Sequence, residues 1–325
     1  MNKFESITGG AAGRTTSHVM WTMALLLTAV VAGCGGTDPI LGGGGSGTLG
    51  GVGGGGPTAG AANLLGLAAP MGIAATAGVT NTPTVPISHI NGDVVLDPNA
   101  TCNAVALDGA GGFGLCGSNA STPTLTGKVY SLNYPDAGLT SGAIVADLKK
   151  GFLSLCAPGL PSAACTLSGA TDIPAGTTLG APFGSALVQG DNLFFPGVYQ
   201  SKTTMMITGD LTLDAQGNAN AVFVFQSSGT IGTAAGAAGG PGTHTRILLV
   251  NGAKASNIWW QASSSATMGL YTEFQGNILA SASITMGTGA VSCGRMLAGA
   301  FTAGAFVLDS NIISVPGNPA DPACL

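Results

Sequence analysis

Apolar and polar residues alternate in short runs through the C-terminal third of the chain, and the runs recur. The segment ATMGLYTEFQGNILA, starting at Ala266, aligns without gaps on ITMGTGAVSCGRMLA, starting at Ile284, an offset of 18 residues. Thr267 matches Thr285, Met268 matches Met286, Gly276 matches Gly294, and Leu279-Ala280 matches Leu297-Ala298. A partial third copy, FVLD, starts at Phe306, and LTLD at Leu211 reads as an earlier copy of the same strand. A period of this length means stacked supersecondary units, none of which can bury its apolar face alone. Each unit divides into three short strands, which predicts a mainly β solenoid of roughly triangular cross-section.

The alternation also assigns sides. In the first strand, Ala266, Ile284 and Phe306, then Met268, Met286 and Leu308, point inward, while Thr267, Thr285 and Val307 between them point outward. Thr212 is placed in the same outward column. In the second strand Phe274 points inward and Glu273 and Gln275 outward, with Val291 and Cys293 beside them on the next rung. The third, Ile278-Leu279-Ala280 and Met296-Leu297-Ala298, is apolar at consecutive positions, as suits a strand covered on both sides. In TLDAQGNANAVFVFQ, Thr212 to Gln226, a turn cluster precedes the apolar run Ala221 to Phe225, so this stretch reads as a further rung.

Helical spacing is found once. In GAIVADLKKGFLSLCA, about residues 142–157, Ile144, Val145, Leu148, Phe152 and Leu155 fall on one face, and this helix is the natural cover for the doubly apolar strands. Gly151 within it costs about 1 kcal/mol against Ala. The rest of residues 101–199 is irregular, rich in Gly, Pro and Ser, and reads as a small disulfide-tied cap. Trp259 and Trp260 are adjacent on a strand, so one ring points in and one out, and packing is a better account of them than a sugar platform.

Charge narrows the function. Of 325 residues only 7% are charged, Lys and Arg number 9, and the net charge is −5, which excludes a phosphate-binding surface for nucleic acid. The Gly-rich motifs lack the Gly-Lys-Ser/Thr continuation of a nucleotide loop. His18, His89 and His244 fall in no catalytic or metal-ligand spacing, and Glu273 with Asp309 is a thin carboxylate pair, so neither an enzyme nor a cofactor or metal is expected.

The apolar run WTMALLLTAVVAGC, Trp21 to Cys34, is too short to span a bilayer comfortably and ends in small residues before a cysteine. Val31-Ala32-Gly33-Cys34 resembles the lipobox of bacterial lipoproteins, which implies a signal peptide over residues 1–33 and lipidation of Cys34. A start at Met20 would shorten a long leader. Residues 34–62 have the composition of a flexible Gly-rich tether and 63–325 that of the domain. The export implied leaves six cysteines free to pair: Cys102–Cys116 and Cys156–Cys165 by short loops, and Cys293–Cys324 tying the tail to the body. The expected location is the outer membrane or cell surface, and the expected state a monomer.

Several segments together carry a resemblance to a known family: FFPGVY at Phe194, GDLTLDAQGNANAVFVFQ at Gly209, LLVNGAKASNIWWQASSSATMG at Leu248, FQGNILASASITMGTGA at Phe274, GRMLA with VLDSN, and INGDVVLDP at Ile90 as a first strand. In this order they resemble the ice-binding β-solenoid domains over about residues 63–315. The resemblance implies a right-handed, discontinuous solenoid with one lateral α-helix. It implies ice as the partner, contacted by the second strand and its preceding turn. On this chain that face comprises Thr230, Thr233, Thr272, Glu273, Thr288, Gly289 and Val291. The alternative is a cell-surface adhesion or structural module that keeps the fold and has a degenerate ice face, since Glu273, Val291 and Tyr271 depart from the Thr-rich pattern.

Overall fold

The computed structural model describes residues 64–82, 84–99, 101–102, 105–106, 122–132, 139–156 and 169–324. Three sheets, almost wholly parallel, form the walls of a solenoid: the first holds Asn277–Ala280, the repeat's third strand, the second holds Ala266–Met268, its first strand, and the third holds Glu273–Gln275, its second strand. The predicted registers are present: Ile284 pairs with Phe306 and Thr285 with Val307 in the second sheet. Glu273 pairs with Val291 and Gln275 with Cys293 in the third. Leu279 pairs with Leu297 in the first. Inward-pointing side chains of all three sheets build one core that includes Met268, Phe274, Ile278, Ile284 and Phe306. An aromatic ladder runs through it: Tyr199, Phe225 and Trp260 are in register, and the Phe225 and Trp260 rings stack at 4.2 Å. Each such contact is worth about 0.5–1.5 kcal/mol beyond its buried area.

The helix spans Ser141–Ser154 rather than 142–157. Thr140 caps its start, its Oγ1 accepting from the Ala143 N–H at 3.2 Å, the usual N-cap arrangement. Ile144, Leu148 and Phe152 lie on the outer side of the first sheet with Val224, Trp259, Leu279 and Leu297, a second core distinct from the first. Trp260 faces inward and Trp259 outward, under the helix, both fully buried, so neither ring is open to a ligand. Gln261 Nε2 donates to Phe152 O at 2.5 Å and Gln226 Nε2 to Leu155 O, satisfying carbonyls that a helix end leaves open. Gly151 earns its place: a Cβ there would meet Leu64 O at 2.8 Å, so the glycine lets the incoming chain pass under the helix.

The stack is discontinuous. The first strand is Met71–Ala75, which pairs with Met296–Leu297 near the end of the chain on one side and Asp93–Leu96 on the other. INGDVVLDP is therefore not the first strand; it runs from the end of one, His89–Asn91 in the third sheet, through a second, Asp93–Leu96 in the first, with a corner at Gly92 between them. From Thr171 the chain starts again at the far end and stacks rung by rung back to this seam. Ala298 N–H donates to Ala74 O and Val315 N–H to Asn91 O across it. Arg295 reinforces it, donating from Nε to Ala69 O at 2.6 Å and from Nη1 to Asn277 Oδ1 at 2.8 Å. Burial lowers its pKa to about 10.

Two further expectations are corrected. Thr212 belongs to Asp210–Asp214, a strand of the third sheet in register with Leu248, and not to the Thr267/Thr285 column. The irregular region is smaller than expected, because Thr124–Leu125, Val129–Ser131, Thr171–Ile173, Thr178–Leu179 and Gly197–Ser201 are solenoid strands. Cys293 and Cys324 are bonded, which holds the tail against the third sheet. Cys102 and Cys156 are each engaged in a disulfide as well. Cys116 and Cys165, like Cys34 and residues 1–62, lie outside the described residues.

Candidate functional site

The three walls differ in what they offer to a large partner. The first is closed by the helix over much of its length. The third carries charge and a cover. Its outer row includes Asp210, Arg246, Glu273, Val291, Ile312 and His89, in register. Arg246 grips Asp210 with two hydrogen bonds, 2.9 and 2.7 Å, and these raise its pKa further above the ordinary guanidinium value. His244 Nε2 lies 3.0 Å from Glu273 Oε1. Beyond Val291 and Ile312 the disulfide-tied tail leaves a groove of about 290 Å³ lined by Gln275, Val291, Cys293, Ile312 and Asp321 among others.

The second sheet is different. Its outward row runs Thr178, Met206, Gly232, Thr267, Thr285, Val307, Thr80, each in register with the next. No member of the row is charged, and Thr178, Met206, Thr267 and Thr80 are exposed. The alternation that exposes them buries Leu179, Ile207, Ile231, Ala266, Ile284, Phe306 and Val79 in the core. Seven rungs at the parallel-strand spacing of about 4.8 Å extend about 29 Å. A pair of hydroxyls flanks the row on two of its rungs: Thr230 Oγ1 donates to Thr204 Oγ1 at 3.2 Å. Met206, 39% exposed, lies across Gly232, where a Cβ would stand 3.3 Å from its Cε, so the thioether occupies the space the glycine leaves open.

The residues expected to form the binding face are not brought together. Thr233 and Thr272 are buried, 5% and 0% exposed, and their hydroxyls lie 2.6 Å apart, so neither can touch a surface. Thr233 Oγ1 also accepts from Gly269 N–H at 2.8 Å, which makes the pair a corner brace. Glu273 and Val291 stand on the third sheet. The Tyr271 ring lies over Gly289, where a Cβ would come within 2.6 Å of it. Thr230 and Thr288 remain partly exposed at the two margins of the second sheet. Alternation shows that a residue points away from one strand's core, but a hydroxyl folded into a corner gives the same sequence signal as one facing water. The period-2 pattern of Val79–Thr82 and Met205–Ile207 carries the exposed Thr80 and Met206, which the sequence reading does not single out, while Thr178 stands in a strand of two residues, too short for a period to show.

Residues 73–314 match the family described as Ice-binding-like. The chain belongs to this family. It is 44% identical over 120 residues to an ice-binding protein of Nostoc sp. (strain HG1), covering 37% of this chain and 40% of that protein. It is 29% identical over 245 residues to an ice-binding protein of Flammulina populicola, 73% of this chain and 83% of that protein. The crystal structure of an ice-binding protein from the Antarctic ascomycete Antarctomyces psychrotrophicus superposes with a TM-score of 0.56 at 31% identity, over 78% of this chain and 98% of that one. The matched segments span only 40%, 11% and 41% of the Nostoc, Shewanella frigidimarina and Flavobacterium frigoris relatives. Among the described residues no group of three or more His, Cys, Asp or Glu could hold a metal, and no helix is long and apolar enough to cross a membrane.

Proposed function

We propose that this chain binds ice through the outward side of the second sheet. The observation that carries the reading is the uncharged, in-register row from Thr178 to Thr80, open where the first wall is covered and the third is charged. Methyl and hydroxyl groups repeated at strand spacing can hold water in a regular array, whereas an ionised carboxylate binds water too strongly and in the wrong geometry. Thr230, Thr288 and Gly289 belong to the margins of this surface. Glu273 and Val291 are outside it, and Thr233 and Thr272 support it from within.

The experiment is thermal hysteresis and ice-recrystallisation inhibition with Thr285→Tyr against the pair Glu273→Thr, Val291→Thr. Thr285→Tyr raises a ring from the middle of the row and should remove most activity; the paired change on the third sheet should leave it unaltered. The reverse result would move the surface to the third sheet. No ice shaping by the wild-type protein would favour a surface-adhesion module of the same fold, for which Met206 and Val307, interrupting the threonines, are the supporting observation. We further propose that the protein is exported and held at the cell envelope by lipid on Cys34, with the Gly-rich tether giving reach.

A further inference from the structure

Asp309 is the one charged residue in any described strand of the second sheet, and it lies on the outward side, since Leu308 before it is buried and Val307 is not. On a surface that meets ice, a free carboxylate would keep its own tightly held water. Here both oxygens are engaged by the protein. Thr288 Oγ1 donates to Oδ2 at 2.5 Å, and Thr84 Oγ1 donates to Oδ1. Ser310 Oγ lies 2.8 Å from Thr84 Oγ1 and donates to it, because the one Thr84 proton is already committed.

The backbone around the carboxylate is equally fixed. Asn311 Oδ1 accepts from Asp309 N–H at 2.6 Å, and Asn311 Nδ2 donates to Gly287 O at 2.8 Å and Ala290 O at 3.1 Å, on either side of Thr288. Thr288 follows the strand Ile284–Met286 and Thr84 follows Val79–Thr82, the two neighbours of Phe306–Asp309 in the sheet. The three residues thus stand on three adjacent rungs, along the edge where the second sheet turns toward the third.

We propose that Asp309 is a positioning residue of the ice-contacting surface: by taking one hydroxyl from each neighbouring rung it locks Thr288 and Thr84 in a single rotamer and extends the ordered surface beyond the Thr267/Thr285 row. The inference rests on the ice-binding reading above. Locking matters because a side chain already fixed loses no rotamer freedom on binding. It also accounts for a carboxylate on this wall, whose charge is met by two protein donors.

The test uses the full chain, thermal hysteresis and fluorescence-based ice-plane affinity, with Thr285→Tyr as the probe of the surface itself. Asp309→Ala should lower hysteresis several-fold and narrow the set of planes bound. Thr288→Val should cost activity in the wild-type background and little once Asp309 is gone, because the positioned group is then already lost. Asp309→Asn, nearly isosteric, should fall between and covers the case in which Ala loosens the corner. If Thr285→Tyr abolishes activity while the Asp309 variants keep full hysteresis and the same planes, the positioning role is wrong and the surface stands. Additive losses from Asp309→Ala and Thr288→Val would also overturn it. If Thr285→Tyr changes nothing, the surface assignment fails and this role with it.

Discussion

A methyl group at Gly294 should damage the solenoid more than one at any exposed glycine of the same stack. Gly294 has φ +150° at a corner between the third and first sheets, and a Cβ built there would stand 1.8 Å from the carbonyl oxygen of Gly276 on the preceding rung. Two penalties combine in Gly294→Ala. The backbone conformation costs about 1–3 kcal/mol for a residue with a Cβ, and the forced separation of two rungs about 1–3 kcal/mol more, as overpacking does elsewhere. The sum is about 2–6 kcal/mol. Gly217 supplies the control: φ is +83°, and nothing lies within 4 Å of the added methyl. Gly217→Ala should cost about 1–2 kcal/mol for the left-handed backbone, offset by about 0.4–1 kcal/mol from a stiffer unfolded chain. Equilibrium unfolding in guanidinium chloride reads the difference as a shift in midpoint at constant slope. The backbone and unfolded-chain terms act on both variants, so Gly294→Ala should lie about 1–3 kcal/mol below Gly217→Ala, the overpacking share. Equal losses would show that the rungs separate freely at this corner and that close approach is not why glycine stands there.

Cys324→Ser opens a loop of 31 residues and should cost about 3–4 kcal/mol by loop entropy, measured by thermal unfolding with and without reductant; a variant as stable as the wild type, reduced or not, would show that the tail is held by other contacts. Cys34→Ser should release the protein from the membrane fraction, and inhibition of lipoprotein signal processing should leave a larger precursor on a gel. A Cys34→Ser protein that matures at the same site and stays membrane-bound would refute the anchor.

The sequence was most informative where one strand's alternation sufficed. Thr285 beside Val307, Phe274 inward between Glu273 and Gln275, and one tryptophan on each side of a strand all follow from a period of two. It was less informative about which wall a strand joins. LTLD at Leu211 and FVLD at Phe306 look alike, yet one lies in the third sheet and the other in the second, because corner lengths vary from rung to rung. Corners also misled in detail. Thr233 and Thr272 are separated by 39 residues and bond only because adjacent rungs bring them together. The same holds for Thr84 and Asp309, separated by 225, a pairing no local spacing reveals.

The seam between Met71–Ala75 and Met296–Leu297 sets the order in which the domain can be completed. A solenoid built in sequence order could settle rung by rung as it leaves the ribosome. Here the earliest strand has one bare edge until nearly the last residues have been made, so the closing contacts are of the slow, long-range kind. For the export proposed above such late closure is an advantage, since the polypeptide would stay threadable until it has crossed. The run from Thr171 to Ser314 is, by contrast, an uninterrupted stack. Whole rungs could be gained or lost within it by duplication or deletion, lengthening or shortening the exposed row while the closing joint stays as it is.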